Sequence, residues 1–289
     1  MLRVSKLSKL YQQGNTIIPV LKNISFGLER GEFVFLTGPS GSGKTTLIKL
    51  LIRQELPTKG TIIFETVPIE QLPRQLIPSY RRTVGVVFQD YKLLENKTVH
   101  ENVSFVLEIL NKTSKEVNQT VEYLLDYVGL ADKRNLFPKQ LSGGEKRRAV
   151  IARAIANNPK LLIADEPTGD LDYENSENIM ALLAKINKAG TSVIMTTHNL
   201  DFIKRYPYSH WHLEGGLLQQ GSPKSQKQAA QFMKSLNKIL PESIINKLQP
   251  LNPDEKSDLL NLTPQFLKEE LKFTDQEISQ LASNLKQLP

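Results

Sequence analysis

One eight-residue stretch constrains the fold more than any other, Gly38-Pro39-Ser40-Gly41-Ser42-Gly43-Lys44-Thr45. It follows the apolar run 32–37 and precedes the helix-favouring run 46–52, so the order is strand, glycine-rich turn and helix. In that context the pattern predicts a phosphate-binding loop, whose backbone N–H groups surround an anion at a helix N-terminus. Lys44 is expected to reach the β- and γ-phosphates and Thr45 to hold Mg²⁺. The loop alone does not identify the nucleotide.

Composition is that of a soluble globular protein. Hydrophobic residues make up 39% of the chain and charged residues 23%. No apolar run approaches the roughly 20 residues that span a bilayer, and the N-terminal residues lack the apolar core of a signal peptide. The absence of cysteine excludes disulfides and thiolate metal sites. We therefore expect a cytoplasmic protein, whose net charge of +7 reflects either a basic surface or attraction to nucleic acid or anionic lipid.

Short apolar or alternating runs predict the β-strands. Residues 2–8 alternate and are interpreted as an edge strand that ends in a turn at residues 10–15. Residues 20–28 alternate as well. Buried strands are predicted where apolar runs are bounded by turns, at 84–88, 161–166 and 192–197, and the first is expected to be parallel. A strand at 61–65 and a closing hairpin at 211–220 with a Gly-Gly turn complete the set.

Helical spacing of apolar residues dominates two other regions, a central insertion and the C-terminal tail. The tail has no glycine. Its helical stripes include Phe232, Leu236 and Ile239, and further on Ile278, Leu281, Leu285 and Leu288. Helix starts are predicted at Thr263-Pro264 and at Thr274, which with Glu277 forms a predicted capping box. The expected fold class is α/β, a phosphate-loop (RecA-like) core with an antiparallel β subdomain, a helical insertion and an α-helical C-terminal extension. The predicted domains are 1–221, with core 1–91 and 159–221 and helical subdomain 92–158, and the extension 222–289, whose role the sequence does not indicate.

Two carboxylates, Asp165 and Glu166, end a predicted buried strand far downstream of the loop. In phosphate-loop NTPases the strand beside the loop strand carries an aspartate that holds Mg²⁺, which Asp165 fits. A glutamate that follows can orient or deprotonate the attacking water, which Glu166 fits. The ordinary alternative is a loop start or a helix cap. Together with the loop, the pair predicts nucleotide hydrolysis.

Gln89 and His198 also follow predicted strands. A neutral imidazole at His198 could bridge the γ-phosphate and Glu166. The Gln89 amide could contact Mg²⁺ or the attacking water and report the nucleotide state to the helical insertion. Each residue alone is a weak signal, because a histidine or glutamine at a strand end is more often structural.

A second candidate anion site opens a helix at Leu141-Ser142-Gly143-Gly144-Glu145. Ser142 and the amides of the two glycines would bind an anion at the helix N-terminus. A chain that already holds phosphates at residues 38–45 has no need of a second site on the same nucleotide. The economical explanation is that this site binds the γ-phosphate held by another copy, which implies a two-fold dimer with two ATP molecules in its interface.

Over residues 1–221 the sequence resembles the nucleotide-binding domain of ABC transporters. The resemblance rests on an ordered set of motifs, which are the phosphate loop, Gln89, 141–145, 161–166, 169–172 and His198. Within that family, several stretches resemble the FtsE group of cell-division ATP-binding proteins. They are 33–38, 77–82, 84–94 and 135–140, in which Arg81-Arg82 and Phe137-Pro138 are typical of the group. The chain departs from it in Asp170, where near relatives usually have asparagine, and in the tail, which has no counterpart.

The resemblance implies specific site residues. Tyr11 matches an aromatic that stacks on adenine, and Asp172 matches an aspartate that communicates across the dimer. The implied ATP-binding residues are Tyr11, Gly38, Pro39, Ser40, Gly41, Ser42, Gly43, Lys44, Thr45 and Thr46. The implied catalytic residues are Glu166, His198, Gln89 and Lys44, and the Mg²⁺ ligands are Thr45, Gln89 and Asp165. The signature that serves the opposite ATP is Leu141, Ser142, Gly143, Gly144 and Glu145.

The resemblance also implies partners and a location. ATP and Mg²⁺ are the expected cofactors, and a homodimer of ATPase subunits would bind an integral-membrane partner, FtsX, at the cytoplasmic face of the cell membrane. In that group the motion passes through residues 89–101 and controls cell-wall hydrolases at the division site. No nucleic-acid partner is expected.

Three alternatives remain. One is the ATPase of a lipoprotein-release or macrolide-export transporter, which shares much of the pattern. Another is an ABC protein that acts on nucleic acid or the ribosome, although such proteins usually carry two tandem domains or a long coiled coil. A third is a scaffold that binds ATP without hydrolysing it, against which the presence of Lys44, Asp165, Glu166 and His198 argues.

Overall fold

The computed structural model describes residues 1–14, 16–110, 112–221, 240–248, 267–268 and 271–285. The strands are β1 Leu2–Gln13, β2 Thr16–Leu28, β3 Phe33–Thr37, β4 Lys59–Phe64, β5 Val67–Pro68, β6 Val84–Val87, β7 Leu161–Ala164, β8 Ser192–Thr196, β9 Ser209–Glu214 and β10 Leu217–Gly221. The helices are α1 Lys44–Leu51, α2 Ile77–Arg82, α3 Val99–Glu108, α4 Ser114–Tyr127, α5 Gly143–Ile155, α6 Tyr173–Lys188, α7 Leu200–Arg205, α8 Glu242–Leu248 and α9 Asp275–Leu285.

An antiparallel sheet has the order β2-β1-β4-β5. The prediction that residues 2–8 form an edge strand is wrong, because β1 pairs with β2 on one side and β4 on the other. The predicted turn at residues 10–15 is also too early, since β1 continues to Gln13. Alternation of buried and exposed residues shows that a strand has one covered face, but it carries no information about how many strands flank it.

The second sheet has the order β10-β9-β3-β8-β7-β6, and the strands β3, β8, β7 and β6 run parallel. β8, rather than β7, lies beside the loop strand β3, so the expectation that the strand carrying Asp165 is its neighbour is wrong. The order along the chain does not fix the order in a parallel sheet, since each crossover can skip a position. The predicted hairpin is present as β9 and β10, joined at Gly215 and Gly216.

One apolar core joins the two sheets through α1. Leu2, Val4 and Leu28 of the antiparallel sheet belong to the same buried cluster as Val34, Leu36 and Ile163 of the parallel sheet, and Leu47, Ile48, Leu50 and Leu51 of α1. Because α1 is held between sheets, the loop that precedes it is fixed at both ends. Helices α3, α4 and α5 fill the predicted insertion.

The chain divides by its internal contacts into two compact units, one of Met1–Tyr206 with Trp211–Leu218 and a second that contains the described part of the tail. The second unit has its own core, made by Leu240, Ile244, Ile245, Leu248, Leu267, Leu271, Phe273, Ile278 and Leu281. The predicted capping box is present, with Thr274 Oγ1 accepting from the Glu277 N–H at 3.3 Å. The predicted stripe at Phe232, Leu236 and Ile239, the start at Thr263-Pro264 and Leu288 lie outside the described residues. Among the helices described, none is long and apolar enough to cross a membrane.

Candidate active site

The predicted phosphate-binding loop connects β3 to α1 through residues 38–43. Gly38 has a φ of +146°, and a Cβ there would lie 2.1 Å from the carbonyl oxygen of Leu213, so only glycine fits. Lys44 is buried, and its Nζ donates to the carbonyl oxygens of Gly38 at 2.8 Å and Pro39 at 3.1 Å. The ammonium group therefore lies inside the curve of the loop.

Hydroxyl groups of the loop are placed for a ligand. Ser42 Oγ is buried and has no hydrogen-bond partner within the described residues. Buried hydroxyls are nearly always paired, so this atom points to an acceptor that the chain itself does not supply. Thr45, in the first turn of α1, is exposed, and Thr46 is half-buried. The loop thus offers backbone donors, a lysine and the unpaired hydroxyl of Ser42 to an anion.

Asp165 and Glu166 lie directly after β7, and a single hydroxyl of β8 connects them. Thr196 Oγ1 donates to Asp165 Oδ1 at 2.8 Å and accepts from the backbone N–H of Glu166 at 2.7 Å. Thr196 is completely buried. The backbone N–H of Asp165 also donates to the carbonyl oxygen of Val87 on β6 at 2.7 Å. Contacts from both neighbouring strands therefore fix the Asp165 carboxylate and the backbone of both residues.

The charges of the site are poorly hydrated. Burial raises the pKa of Asp165, and the nearby Glu166 carboxylate adds to that rise, while Thr196 and Lys44 oppose it. Burial likewise lowers the pKa of Lys44, against the attraction of Glu166 and Asp165. A partly buried pair of carboxylates with one lysine nearby suits a further cation. The carboxylate of Asp165 and the exposed hydroxyl of Thr45 are hard oxygen donors of the kind that Mg²⁺ prefers.

Glu166 and His198 are in direct contact, with 2.8 Å between Glu166 Oε1 and His198 Nε2. Glu166 has a φ of +46°, an uncommon backbone conformation for a residue other than glycine, which is typical of functional sites. The pair borders an open cavity of about 280 Å³ that Gly169, Leu171 and Tyr173 also line. The predicted contact between the histidine and the glutamate is thus present in the structure.

Gln89 follows β6, and its side chain is exposed. Its carbonyl oxygen accepts a hydrogen bond from Arg147 Nη2 at 3.1 Å. Within the described residues its side-chain amide makes no hydrogen bond, so the structure fixes the backbone of Gln89 and leaves its amide open to a ligand.

Tyr11 lies close to the phosphate loop. Its hydroxyl donates to Glu55 Oε2 at 2.5 Å, and Lys9 Nζ lies 4.8 Å from the ring centroid. Burial raises the pKa of Tyr11, the hydrogen bond to Glu55 raises it further, and a hydrogen bond with Thr46 opposes the rise. The contact with Thr46 places the ring beside the first turn of α1.

The signature residues cap α5. Ser142 Oγ accepts from the Glu145 N–H at 3.3 Å, and Glu145 accepts from the Ser142 N–H at 2.8 Å. Gly144 packs closely on α6, because a Cβ there would lie 2.4 Å from Asn175 Oδ1. Leu141, which precedes the cap, is buried.

Asp172 is the N-cap of α6 in this chain. Its Oδ1 accepts from the Asn175 N–H at 2.8 Å and its Oδ2 from Asn175 Nδ2 at 2.7 Å. Asp170 has a φ of +59°, a conformation that asparagine and aspartate tolerate better than most residues. The segment that begins at Gly169 is thus held to α6 by its aspartate and to α5 through Asn175.

Three residues that hold the site were not predicted, namely Thr196, Arg147 and Glu55. The signal for Thr196 is a hydroxyl at the end of a buried strand. The signal for Arg147 is its position next to Val150 and Ile151 on the buried face of α5. Glu55 gives no local signal, because its contact with Tyr11 spans 44 residues of sequence.

Comparisons with known proteins agree with this geometry. Residues 21–169 match the family described as ABC transporter. The cell division ATP-binding protein FtsE of Mycobacterium tuberculosis is 45% identical over 199 residues, which cover 69% of this chain and 86% of the relative. FtsE of Bacillus subtilis is 43% identical over 218 residues, 75% of this chain and 94% of the relative. FtsE of Escherichia coli is 42% identical over 222 residues, 75% of this chain and 99% of the relative.

Solved structures are similar over the same part of the chain. One is a dimeric post-hydrolysis state of the ATP-binding cassette MJ0796 bound to ADP and Pi. It is 32% identical, with a TM-score of 0.71, and the match covers 77% of this chain and 99% of that one. Because the family match spans over half of the chain and the relatives are covered over most of their length, the chain belongs to the ABC transporter family, as an ATPase subunit of the FtsE type.

Proposed function

We propose that the protein hydrolyses ATP with Mg²⁺ as a two-fold dimer, and that it drives a membrane protein of the FtsX type in cell division. The proposal of hydrolysis rests on the arrangement of Asp165, Glu166, Thr196 and His198 at the ends of β7 and β8. There the Thr196 hydroxyl fixes the Asp165 carboxylate and the Glu166 backbone, and His198 contacts the Glu166 carboxylate. The cell-division role is supported by the names of the FtsE relatives.

Each site residue has a role in this proposal. The loop amides and Lys44 bind the phosphates, Tyr11 stacks on adenine, and Thr45, Asp165 and Gln89 hold Mg²⁺, which neutralises charge on the phosphate oxygens. Glu166 accepts a proton from the attacking water, and its contact with His198 keeps the carboxylate oriented toward that water. The burial of the Asp165 carboxylate beside Glu166 supports the metal role, and the uncommon backbone conformation of Glu166 supports the role of base.

The dimer is the second part of the proposal. The solved cassettes that resemble this chain are described as dimeric. In such a dimer, Ser142 and the N–H groups at the start of α5 would bind the γ-phosphate held by the partner, and Asp172 would lie at the interface. The capping box supports this role, because it orders the first turn of α5 and leaves the glycine amides directed outward.

A surface groove supports the proposal that a membrane protein binds this chain. It has a volume of about 470 Å³ and is lined by Arg81, Arg82, Phe88, Val106 and Arg153, among others. Next to Val106, the α3 residues Phe105 and Ile109 are 46% and 55% exposed. We propose that an apolar segment of the membrane protein with acidic side chains binds this groove at the cytoplasmic face of the membrane, close to Gln89.

The proposed domains are 1–221 for the ATPase and 222–289 for an extension.

An exporter ATPase is the second candidate. It is supported by the description of the solved MJ0796 cassette as part of a bacterial ABC transporter. Purification of the protein with its membrane partner from detergent extracts separates the two functions. A partner with the sequence of FtsX supports the cell-division role, and a lipoprotein-release or macrolide-export permease contradicts it.

Glu166→Gln tests the hydrolytic site. The amide keeps the volume of the side chain but cannot accept a proton, so we expect turnover to fall at least about a hundredfold while ATP binding is retained. ATP should then hold the dimer together long enough for size-exclusion chromatography to detect it. Glu174→Gln, at an exposed glutamate of α6, is the control. Wild-type turnover in Glu166→Gln would rule out its role as the base.

A further inference from the structure

Two arginines of α5 bind the backbone just after β6. Arg147 donates through Nη1 to the carbonyl oxygen of Phe88 at 2.7 Å and through Nη2 to that of Gln89 at 3.1 Å. Arg153 donates in the same way to the carbonyl oxygens of Lys92 at 2.8 Å and Tyr91 at 3.3 Å. The helix that begins at the signature therefore holds four carbonyl groups of the segment 88–92.

Arg147 is an unusual residue for its position. Its side chain is 2% exposed, and it forms no ion pair within the described part of the chain. Its guanidinium lies 4.7 Å from the ring centroid of Tyr91, and its Nε has no hydrogen-bond partner there. Burying a charge against carbonyl dipoles and an aromatic face costs more than burying an apolar side chain of the same size. Packing alone would favour the apolar side chain.

What the arginine fixes is the backbone next to the hydrolytic site. The carbonyl oxygen of Val87 accepts from the N–H of Asp165 at 2.7 Å, and the next two carbonyl groups are those that Arg147 binds. Three consecutive peptide groups are thus held, the first by β7 and the other two by α5. Gln89 leaves this fixed backbone with its amide free.

We propose that Arg147 is a positioning residue for the ATPase reaction, which holds the Gln89 backbone so that the side-chain amide meets Mg²⁺ or the attacking water. Arg153 holds the residues that follow. The proposal rests on the proposed function of Gln89. It makes α5, whose first turn carries the signature, and Gln89 one mechanical unit. A planar guanidinium can donate to two adjacent carbonyl oxygens at once, an arrangement called here the fork. A lysine ammonium is a point charge and cannot reproduce it.

Arg147→Gln and Arg147→Lys test the proposal in the full-length protein. We expect kcat to fall about tenfold or more in both, since hydrogen bonds to a charged group are lost. The Kd for a fluorescent ATP analogue should change less than about twofold, because Arg147 does not contact the loop. The lysine variant keeps the buried charge, so it tests the fork even if the glutamine variant folds poorly. Arg53→Gln is the matched control, because Arg53 also binds two successive carbonyl groups, those of Ile69 and Glu70.

A double-mutant cycle separates positioning from general stability. If Arg147 acts through Gln89, Gln89→Ala and Gln89→Ala with Arg147→Gln should have the same kcat. If the kcat losses of the two single variants multiply in the double variant, the positioning role is wrong. It is also wrong if both Arg147 variants keep the wild-type kcat while Gln89→Ala is impaired. Equal losses in Arg53→Gln and Arg147→Gln overturn it as well. A wild-type kcat in Gln89→Ala instead contradicts the proposed function of Gln89 itself.

Discussion

At the residue scale, the buried hydroxyl of Thr196 contributes to both the geometry and the charge state of the carboxylate site. It donates to Asp165 and accepts from the N–H of Glu166, so the same atom fixes the carboxylate of one residue and the backbone of the next. Its hydrogen bond also lowers the pKa of Asp165, against burial and the charge of Glu166, which raise it. The ionised form of Asp165, which a metal requires, therefore depends on Thr196.

Thr196→Val removes this hydroxyl without changing the shape of the side chain. The buried N–H of Glu166 and carboxylate of Asp165 then each lose a partner, which should lower the free energy of unfolding by about 1–3 kcal/mol. The pKa of Asp165 should rise further, so the acidic limb of the pH–kcat profile should move to higher pH. Urea denaturation and that profile are the measurements. Thr196→Ser keeps the hydroxyl and should resemble wild type, and an unshifted acidic limb in Thr196→Val would contradict the argument.

At the scale of elements, α5 and α6 contact each other through Gly144. The space that a Cβ would need is occupied by Asn175, whose Nδ2 is held by Asp172 at the N-terminus of α6. The Asn175 side chain therefore cannot move aside without losing its hydrogen bond to Asp172 Oδ2. The signature turn and the loop around Asp172 are packed as one element.

Gly144→Ala should lower the free energy of unfolding by about 1–3 kcal/mol, as overpacking typically does. Adding Asn175→Ala should recover part of the loss by making room for the methyl group, even though Asn175→Ala alone destabilises the cap. Urea denaturation of the two single variants and the double variant measures the coupling. Strictly additive losses would show that Gly144 and Asn175 do not compete for the same space.

The start of α9 carries a charge whose effect depends on pH. Lys247 Nζ donates to both carboxylate oxygens of Glu277 at 2.7 Å, and the Thr274 N–H donates to Oε2 at 2.7 Å. Lys247 first, and then the Thr274 backbone, lower the pKa of Glu277 to about 2. The ordinary value of 4.5 applies in the unfolded chain. The contribution of Glu277 to stability is thus complete above that value and is lost as the pH falls toward 2.

Glu277→Gln should therefore destabilise the second unit at neutral pH and remove part of its acid sensitivity. Amide hydrogen exchange of residues 275–285, measured in the full-length protein between pH 6 and pH 3.5 with correction for the intrinsic rate, checks both effects. The protection of wild type should fall toward that of the variant as the pH decreases. Parallel pH curves for the two proteins would show that the pair with Lys247 does not stabilise α9.

At the scale of the whole molecule, the proposed dimer places the signature of one copy against the nucleotide of the other. Ser142→Arg should then abolish turnover and leave ATP binding to a single chain nearly unchanged, because Ser142 does not belong to the loop at residues 38–45. A mixture of Ser142→Arg with Lys44→Ala should regain part of the activity. In the mixed dimer, one site combines an intact loop with an intact signature. Loss of ATP binding by monomeric Ser142→Arg, or an inactive mixture, would contradict the two-fold arrangement.

The family, the phosphate loop, the α/β class and most strands could be predicted from the sequence, because each depends on local order. Each short stretch of consecutive residues shows its own pattern, such as glycine spacing, an apolar run or a strand that leads into a helix. The pairs Asp165 with Glu166 and Ser142 with Glu145 are found for the same reason. Even the tail's capping box is local, since Thr274 and Glu277 are three residues apart.

Tertiary structure decided what joins distant residues. Neither the position of β8 between β3 and β7 nor the two partners of β1 follows from local patterns, because sheet order is set by packing and crossovers. The bond of Thr196 to Asp165 spans 31 residues, and that of Arg147 to Phe88 spans 59. Such contacts depend on which buried polar groups the fold brings within reach of each other. The sequence by itself thus determined what chemistry this protein carries, and the packing determined which side chains hold it in place.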